Sequence, residues 1–561
     1  MRRFIATILR FRMWILLVLL MITTGFGYVV THGVLSTSLV GLFYEEDHPE
    51  YVRYLERIQR FGNDEAIIIG LESVEPLATS TITSLRRVHH HLEAMEAVGR
   101  VTSLANLSRV TSDVDTVAIK RYADEAFDNP DEIDALMKQV RGDPLVRGLF
   151  VSQDAEHMLV IVELEPDPRR AAEEGSRLVT EVLRVFEQEG FAPDRIHRTG
   201  MLAITAEIVR LSRDNIIVLF PIVLLLLLLT VYLLFGRLWP VMITSIISLV
   251  AVIWTMGFSI LLDPNVHILL SIVPGVILII AFSDVIHLCS AYLIELSEGH
   301  EKDEAILRAG VDVGKACLLT SATTGVGFLA LTFVPTPVFH HLGIVLGTGV
   351  AVALLLAMTL GPILFSLMSR PKPWRVGQTQ KVQGFIDGFL EASARLSSRR
   401  PGTILFGFAV FVLIAVAGAT QLRFENHFEK RLSSTNPVRT AAAFFDANFV
   451  GTRTIEVFIE TDDAGGLLDP ERFHQIVEFR DKLENLDHFE RTISIIDLME
   501  ATHDAILPED TEIAFLPTNA QALHQYLVLL EMDGPDALET FLDFQRRAMR
   551  LSVYTRETGI R

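Results

Sequence analysis

The chain has 561 residues, 50% of them hydrophobic, 21% charged, and a mean hydropathy of +0.38. That is too apolar for a wholly water-soluble protein and too charged for membrane helices alone, so part lies in a membrane and part in water. A formal charge of -20 without clustered Lys and Arg excludes nucleic acid as a partner. Both cysteines, Cys289 and Cys317, fall in apolar runs, so the water-exposed parts rely on ordinary cores.

Arg2, Arg3, Arg10 and Arg12 precede the apolar run Met13–Val30. Basic residues stay on the cytoplasmic side, so residues 1–31 read as a cytoplasmic N-terminus and an uncleaved first membrane helix. Residues 32–214 form a first exported domain, and residues 33–214 hold 33 Asp and Glu against 20 Lys and Arg. Within it Glu65–Leu71 and His157–Glu165 read as strands, and Val101–Leu107 as a strand or turn. Thr81–Val98, Asp131–Val140 and Arg170–Glu189 have helical spacing. This alternation predicts a compact α+β domain with helices on one face of a sheet. His89, His90 and His91 are consecutive and splay around one of these helices, which is the pattern of a solvated face and not of a metal site.

Five apolar runs follow in residues 215–368: Asn215–Phe235, Pro240–Leu262, Val266–Ile294, Ala316–Val334 and His341–Met368. Each is long enough to cross a bilayer. Between the last three, Glu295–Lys315 is charged and reads as a cytoplasmic segment. Residues 369–401 carry a basic excess, which places them inside. Val382, Phe385, Ile386, Phe389 and Leu390 give this linker an amphipathic helix. Residues 402–420 form a seventh membrane helix, and residues 421–561 a second exported domain. The fold class is therefore an α-helical membrane protein with seven membrane helices and α+β extracytoplasmic domains.

The two exported segments repeat one plan. Tyr44–Phe61, the strand EAIIIGLES, a helix and VGRVTSLANL in the first match Phe428–Phe449, Thr454–Thr461, Pro470–Leu486 and Phe489–Leu498 in the second. Val140–Glu165 is matched by Glu531–Glu557. The first copy continues into five membrane helices. Repeat arithmetic then anticipates two halves of roughly 390 residues and a twelve-helix whole. On that reading this chain is a fragment, a truncated product or one part of a split protein whose remaining helices come from a second polypeptide or a homo-oligomer.

Asp284 is the residue most in need of explanation. A carboxylate in the middle of a membrane helix costs roughly 2.5–3.5 kcal/mol unless it faces protein, water or a partner charge. Desolvation moves a carboxyl's titration toward neutral pH, which a proton carrier requires. His287, one turn on, can share or relay that proton. Thr320, Ser321, Thr323 and Thr324 offer hydroxyls for a polar path, although hydroxyls and the nearby Gly325 and Gly327 also suit close helix packing, as does Gly343-x-x-x-Gly347. Pro274 and Gly275 interrupt the fourth helix ahead of Asp284 and are candidate hinge residues. No phosphate-binding loop, Ser-His-Asp arrangement or zinc spacing occurs, and Asp263, at the outer end of the third helix, makes a poor second aspartate for an intramembrane protease. Neither an enzyme nor a metal or cofactor is expected.

One helix, a large exported domain, five helices, then the same plan again resembles the resistance-nodulation-division (RND) superfamily, and within it the MMPL-type exporters. The residues carrying the likeness are Thr199-Gly200, Asp214, Phe235-Gly236-Arg237, Ser283–Leu288, the acidic stretch after Glu295, TSATTGVGFLAL at Thr320–Leu331, and Gly343. The resemblance implies a proton-driven exporter of lipids or other hydrophobic substrates at the cell inner membrane, with the large domains periplasmic. It also implies a proton relay between an acid in the fourth helix, here Asp284, and polar residues of a tenth helix that lies outside these residues. Here Val285 follows the acid, where the family often has Tyr or Asp. Two other classes fit the same features: a lipid-sensing receptor or scaffold that does not transport, and a Sec-associated component of protein export.

Overall fold

A computed structural model describes the chain except residues 37–42, 46, 63–65, 73–77, 114–115, 123–136, 144, 166–171, 372–379, 423–431, 452, 487–488, 507–514, 516–518, 533–535 and 556–561. The chain divides into two compact units: Met1–Tyr44 with Leu211–Glu425, and Glu45–Arg210 with Asn426–Arg561.

The first unit contains helices long and apolar enough to cross a membrane at Arg12–Val30, Met201–Phe235, Leu238–Leu262, Ile268–Ser297, Lys302–Phe333, Pro337–Leu367 and Pro401–Ala419. They are numbered first to seventh below. The third, fourth and sixth supply most of one core, in which Ile247, Ala251, Ile277, Leu278, Val285, Val345, Ala353 and Phe365 are fully buried. The first helix packs on the third, where the Trp254 indole donates to Thr23 Oγ1 at 2.9 Å and the Phe26 ring lies over Gly257. The seventh helix buries no residue in this unit. Strand β1 (Val34–Ser36), just after the first helix, pairs in parallel with β8 (Asn265–His267) between the third and fourth.

Three expectations change here. The second membrane helix starts at Met201, well ahead of its apolar run. The fifth starts at Lys302, so much of the charged Glu295–Lys315 segment is helical, with its turn around Gly299. Pro274 and Gly275 do not break the fourth helix. A 3-10 turn over Ile268–Ile272 leads into an α-helix beginning at Val273, so Pro274 lies in the first turn, where a missing N–H costs no helical hydrogen bond. A separate helix, α1 (Arg2–Arg10), precedes the first membrane helix and was not anticipated.

The second unit contains both copies of the repeated domain, called the exported copies after the expectation above. In the first, β2 (Ala66–Leu71), β3 (Val98–Thr102), β6 (Met158–Leu164) and β7 (Ile196–Thr199) form an antiparallel sheet in the order β3-β6-β2-β7. The helix expected over Thr81–Val98 is shorter, Thr79–Glu93, because Val98 already belongs to β3. A hairpin of β4 (Ser108–Asp113) and β5 (Thr116–Arg121) lies outside that sheet. Of the helical stretch Asp131–Val140, residues 131–136 lie outside the described residues; 137–142 are helical. In the second copy, β9 (Arg453–Glu460), β10 (Arg491–Ile493) and β11 (Ala548–Thr555) pair in the order β10-β11-β9. The repeat extends to turn geometry. Ala155 and Arg546, each three residues before the equivalent Met158 and Met549, have positive φ angles of 61° and 54°. Ser152 and Asp543 then occupy the same place and accept from the backbone N–H of His157 at 3.0 Å and of Ala548 at 2.7 Å.

The sheet of the first copy has helices on both faces. Thr79–Glu93 and Ala172–Gln188 cover one, burying Leu85, Val88, Leu92, Val182 and Phe186 against β2 and β6. The other is covered by the second copy: in Pro437–Asn448, Phe445 and Ala441 pack with the adjacent Phe449 on Ile68, Leu159 and Ile161. Helix Pro49–Phe61 returns the exchange, with the Phe61 ring 5.3 Å from Phe458 on β9, Arg57 over the same ring, and Phe61 O accepting from Arg550 Nη1 at 3.2 Å. Both exchanged helices start alike, with a capping side chain and then proline: His48 and Pro49, Asn436 and Pro437.

Gly70 permits this docking, because a Cβ there would lie 2.6 Å from Phe444 and 2.9 Å from Phe445. Gly70→Leu is therefore expected to destabilise the exported unit by roughly 1–3 kcal/mol, read as a lower denaturant midpoint with unchanged membrane insertion. In the second copy, burial pushes Asp497 up to about 6, partly offset by Ser494 and Arg480. An acid whose folded pKa exceeds its unfolded one binds protons more readily when folded. Its contribution to stability therefore falls as pH rises from about 4 to about 6 and stays unfavourable above. Asp497→Asn should remove that segment of the pH dependence in denaturation measured between pH 4 and 8.

Candidate functional site

The fourth helix has apolar residues on nearly every face, so an ionisable group in it requires a neighbour that can bond it. Asp284 is 5% exposed and turns toward the fifth helix. Ser321 Oγ donates to its Oδ2 at 3.5 Å, and the Cys317 thiol lies beside the same carboxylate. Ser321 and Cys317 are buried and four residues apart, so they occupy one face of the fifth helix and converge on one carboxyl.

The anticipated residues separate into those that meet and those that do not. Ser321 touches Asp284. His287 is exposed on the flank of its helix, close enough to interact electrostatically with the carboxylate. Thr320 and Thr323 are exposed and their hydroxyls donate back to their own helix, Thr320 to Cys317 O at 3.1 Å and Thr323 to Thr320 O at 2.9 Å. Thr324 is exposed as well. The expected row of hydroxyls is thus one buried serine with threonines on the outward face. Cys317 was missed as a site residue, although its spacing from Ser321 is a readable signal. Pro274 and Gly275 stand at the helix start, as described above, away from the carboxyl.

The surroundings are tightly packed. Gly343 and Gly347 of the sixth helix press on the fifth, where added Cβ atoms would approach Phe328 O to 2.9 Å and Leu329 to 2.7 Å, whereas Gly327 faces open space. Toward the end of the fourth helix, Tyr292 stacks on Phe365 at 4.6 Å with Trp239 edge-on to both. Asp263 is spent locally, accepting from the Asn265 N–H at 2.8 Å. The three consecutive histidines stay in the exported unit, where His89 pairs with Glu93 and His91 with Glu189.

A family model described as the MMPL family matches residues 51–404, from the first exported domain through the sixth membrane helix into the seventh. The chain belongs to the MMPL family, a multi-pass membrane protein of the RND superfamily. It is 24% identical over 361 residues to a membrane protein of Methanocaldococcus jannaschii, covering 64% of this chain and 91% of that one. It is also 23% identical over 195 residues to the transport protein MmpL10 of Mycobacterium leprae, and 26% identical over 185 residues to the sulfolipid-1 exporter MmpL8 of Mycobacterium tuberculosis. These matches take in 34% and 33% of this chain but 19% and 16% of the relatives, so the chain spans under a fifth of the mycobacterial proteins it matches.

A carboxyl held by one long hydroxyl contact and a thiol is poorly compensated for its burial. Asp284→Leu should raise the thermal midpoint of the detergent-solubilised chain by a few degrees, as expected for a residue retained at a cost in stability. A fall in the midpoint would show that the carboxyl is structural.

Proposed function

We propose that this protein is part of a proton-driven exporter that moves lipids or other hydrophobic molecules out of the inner membrane, with the exported unit on the periplasmic side. The observation that carries the reading is the buried Asp284 against Ser321 and Cys317 in an otherwise apolar bundle. Family membership and the sulfolipid-1 export named for the mycobacterial relative support lipid as the cargo class.

In the ionised state Asp284 accepts from Ser321. On protonation the carboxyl becomes neutral and can donate to the same hydroxyl, so the driving force for keeping the fourth and fifth helices together at this level changes with proton occupancy. His287, on the exposed flank one turn away, is the group placed to pass protons to and from the carboxyl. An intramembrane charge of this kind is costly when ionised, by about 2.5–3.5 kcal/mol on insertion scales, which is enough to bias two helix arrangements.

The fifth helix turns Thr320, Thr323 and Thr324 outward beside this site. In the working exporter that face meets complementing membrane helices, from the same polypeptide, from a second one or from another copy. The archaeal relative supports assembly from half-size chains: 361 aligned residues are 91% of it, so it is about one repeat long.

In vesicles with an imposed proton gradient, Asp284→Asn should abolish gradient-dependent movement of lipid substrate while expression and folding persist, and His287→Ala should slow it. Undiminished movement by Asp284→Asn would refute the relay. A lipid response that survives in this variant, without transport in the wild type, would instead favour a sensor.

A further inference from the structure

The N-terminal helix α1 has two unlike faces. Ile5 and Ile8 are buried, and Met1 and Ile5 seat on glycines of the fifth membrane helix. A Cβ at Gly310 would lie 2.3 Å from Ile5 Cδ1, and one at Gly314 would lie 3.0 Å from Met1 Cε. Arg2 fixes the register by pairing with Glu304 at 3.3 Å. The other face is open. Arg3 and Arg10 of α1 and Arg12 at the start of the first membrane helix are exposed, with Phe4, Phe11, Met13 and Trp14 near them, Trp14 being 73% exposed. Arg10 lies over the Phe11 ring; Arg3 and Arg12 form no ion pair among the described residues. No acidic residue occurs before Glu45.

Arginines interleaved with exposed aromatic side chains, on a short helix and the first turn of the membrane span that follows it, match the charge of an anionic lipid interface. We infer that α1 and the start of the first membrane helix bind anionic phospholipid headgroups through Arg3, Arg10 and Arg12, and that α1 acts as a latch on the fifth membrane helix. The latch reaches the candidate proton site along one helix face. Gly310, Gly314, Cys317 and Ser321 are spaced four, three and four residues apart, so the seat of α1 and the cradle of Asp284 are neighbours on a single stripe. Lipid binding that holds Met1 and Ile5 in place therefore holds the register of Cys317 and Ser321 against the carboxyl. The lipid site itself stands on the geometry of α1; only its effect on transport rests on the exporter reading.

The test titrates short-chain phosphatidylglycerol into the full chain in neutral detergent and follows the thermal midpoint. Phosphatidylglycerol should stabilise the wild type, whereas short-chain phosphatidylcholine and inorganic phosphate should not, which separates a lipid from a free anion. In Arg3→Gln/Arg10→Gln/Arg12→Gln the half-saturating concentration should rise roughly tenfold or more, given the contribution of each arginine at an anionic surface. Arg399→Gln/Arg400→Gln, in the other basic segment, should leave it unchanged. An unaltered titration in the α1 variant, or a loss confined to the Arg399 and Arg400 variant, overturns the inference. Failure of Asp284→Asn to block export, with this titration intact, would refute the relay through Asp284 and leave the lipid site standing.

Discussion

The membrane unit is organised by the need to shelter one carboxyl from hydrocarbon. Its buried neighbours Ile277, Ala281, Val285 and Leu288 demand only complementary volume. Asp284 demands a polar partner, and among the described residues it meets a serine hydroxyl and a thiol across the interface with the fifth helix. These are weak partners. Neither is a cation, so the ionised carboxylate has no Coulombic compensation from them, and a proton is the cheapest way to neutralise it. A structural carboxylate in such a place would be expected to acquire an Arg or Lys. The exported unit shows that contrast, where Arg480, 7% exposed, is matched by Glu500, Asp481 and Asp497.

The exported unit depends on a different constraint, the exchange of one helix between copies. A sheet that is apolar on both faces needs two covers, and the local chain of the first copy supplies one. The second comes from Pro437–Asn448 and the adjacent Phe449, with Phe445 and Phe449 almost fully buried on the first copy's sheet. Burying each such ring contributes on the order of 1.5–3 kcal/mol, so the exchange adds stability that the first copy's sheet does not gain from its own chain. His197 adds a specific contact, stacking on Phe444 at 3.9 Å while its Nε2 bonds Glu72 at 2.7 Å. Gly200, at φ 95°, closes the same sheet: a Cβ there would lie 2.4 Å from Ala66 O, so only glycine lets β7 turn into the helix that begins at Met201.

What was legible in the residues follows from the range of the interactions concerned. The seven spans, the strands at Ala66–Leu71 and Met158–Leu164 and the repeat are set by hydrophobic period over a few turns, and those features were readable. Helix ends were less so. Val98 carries the apolar spacing of the preceding helix, but strand pairing with β6 claims it, and Pro274 reads as an interruption until the 3-10 turn before it is known. Helices on one face of the sheet was the natural reading of a single copy, and the second cover comes from more than two hundred residues away, beyond any local pattern. Asp284 was found by cost alone. Its partners divided by helix face, which the run of hydroxyls hid: Ser321 points inward and Thr320 and Thr323 outward, while Cys317 passes in a sequence for an ordinary apolar residue.

The face shared by Gly310, Gly314, Cys317 and Ser321 gives these separate features a physical link. Small residues allow close approach, and on this stripe they admit first a helix from the chain's own N-terminus and then a carboxyl from the fourth helix. Ile5 and Met1 fix it at one end, and the Asp284 contact closes it at the other. Gly343 and Gly347 press the sixth helix on a later stretch, against Phe328 and Leu329. The fifth helix packs along the fourth and sixth over much of its length, and its contact with Asp284 is a long polar one within that packing. The site is thus built from residues of ordinary type whose placement alone distinguishes them.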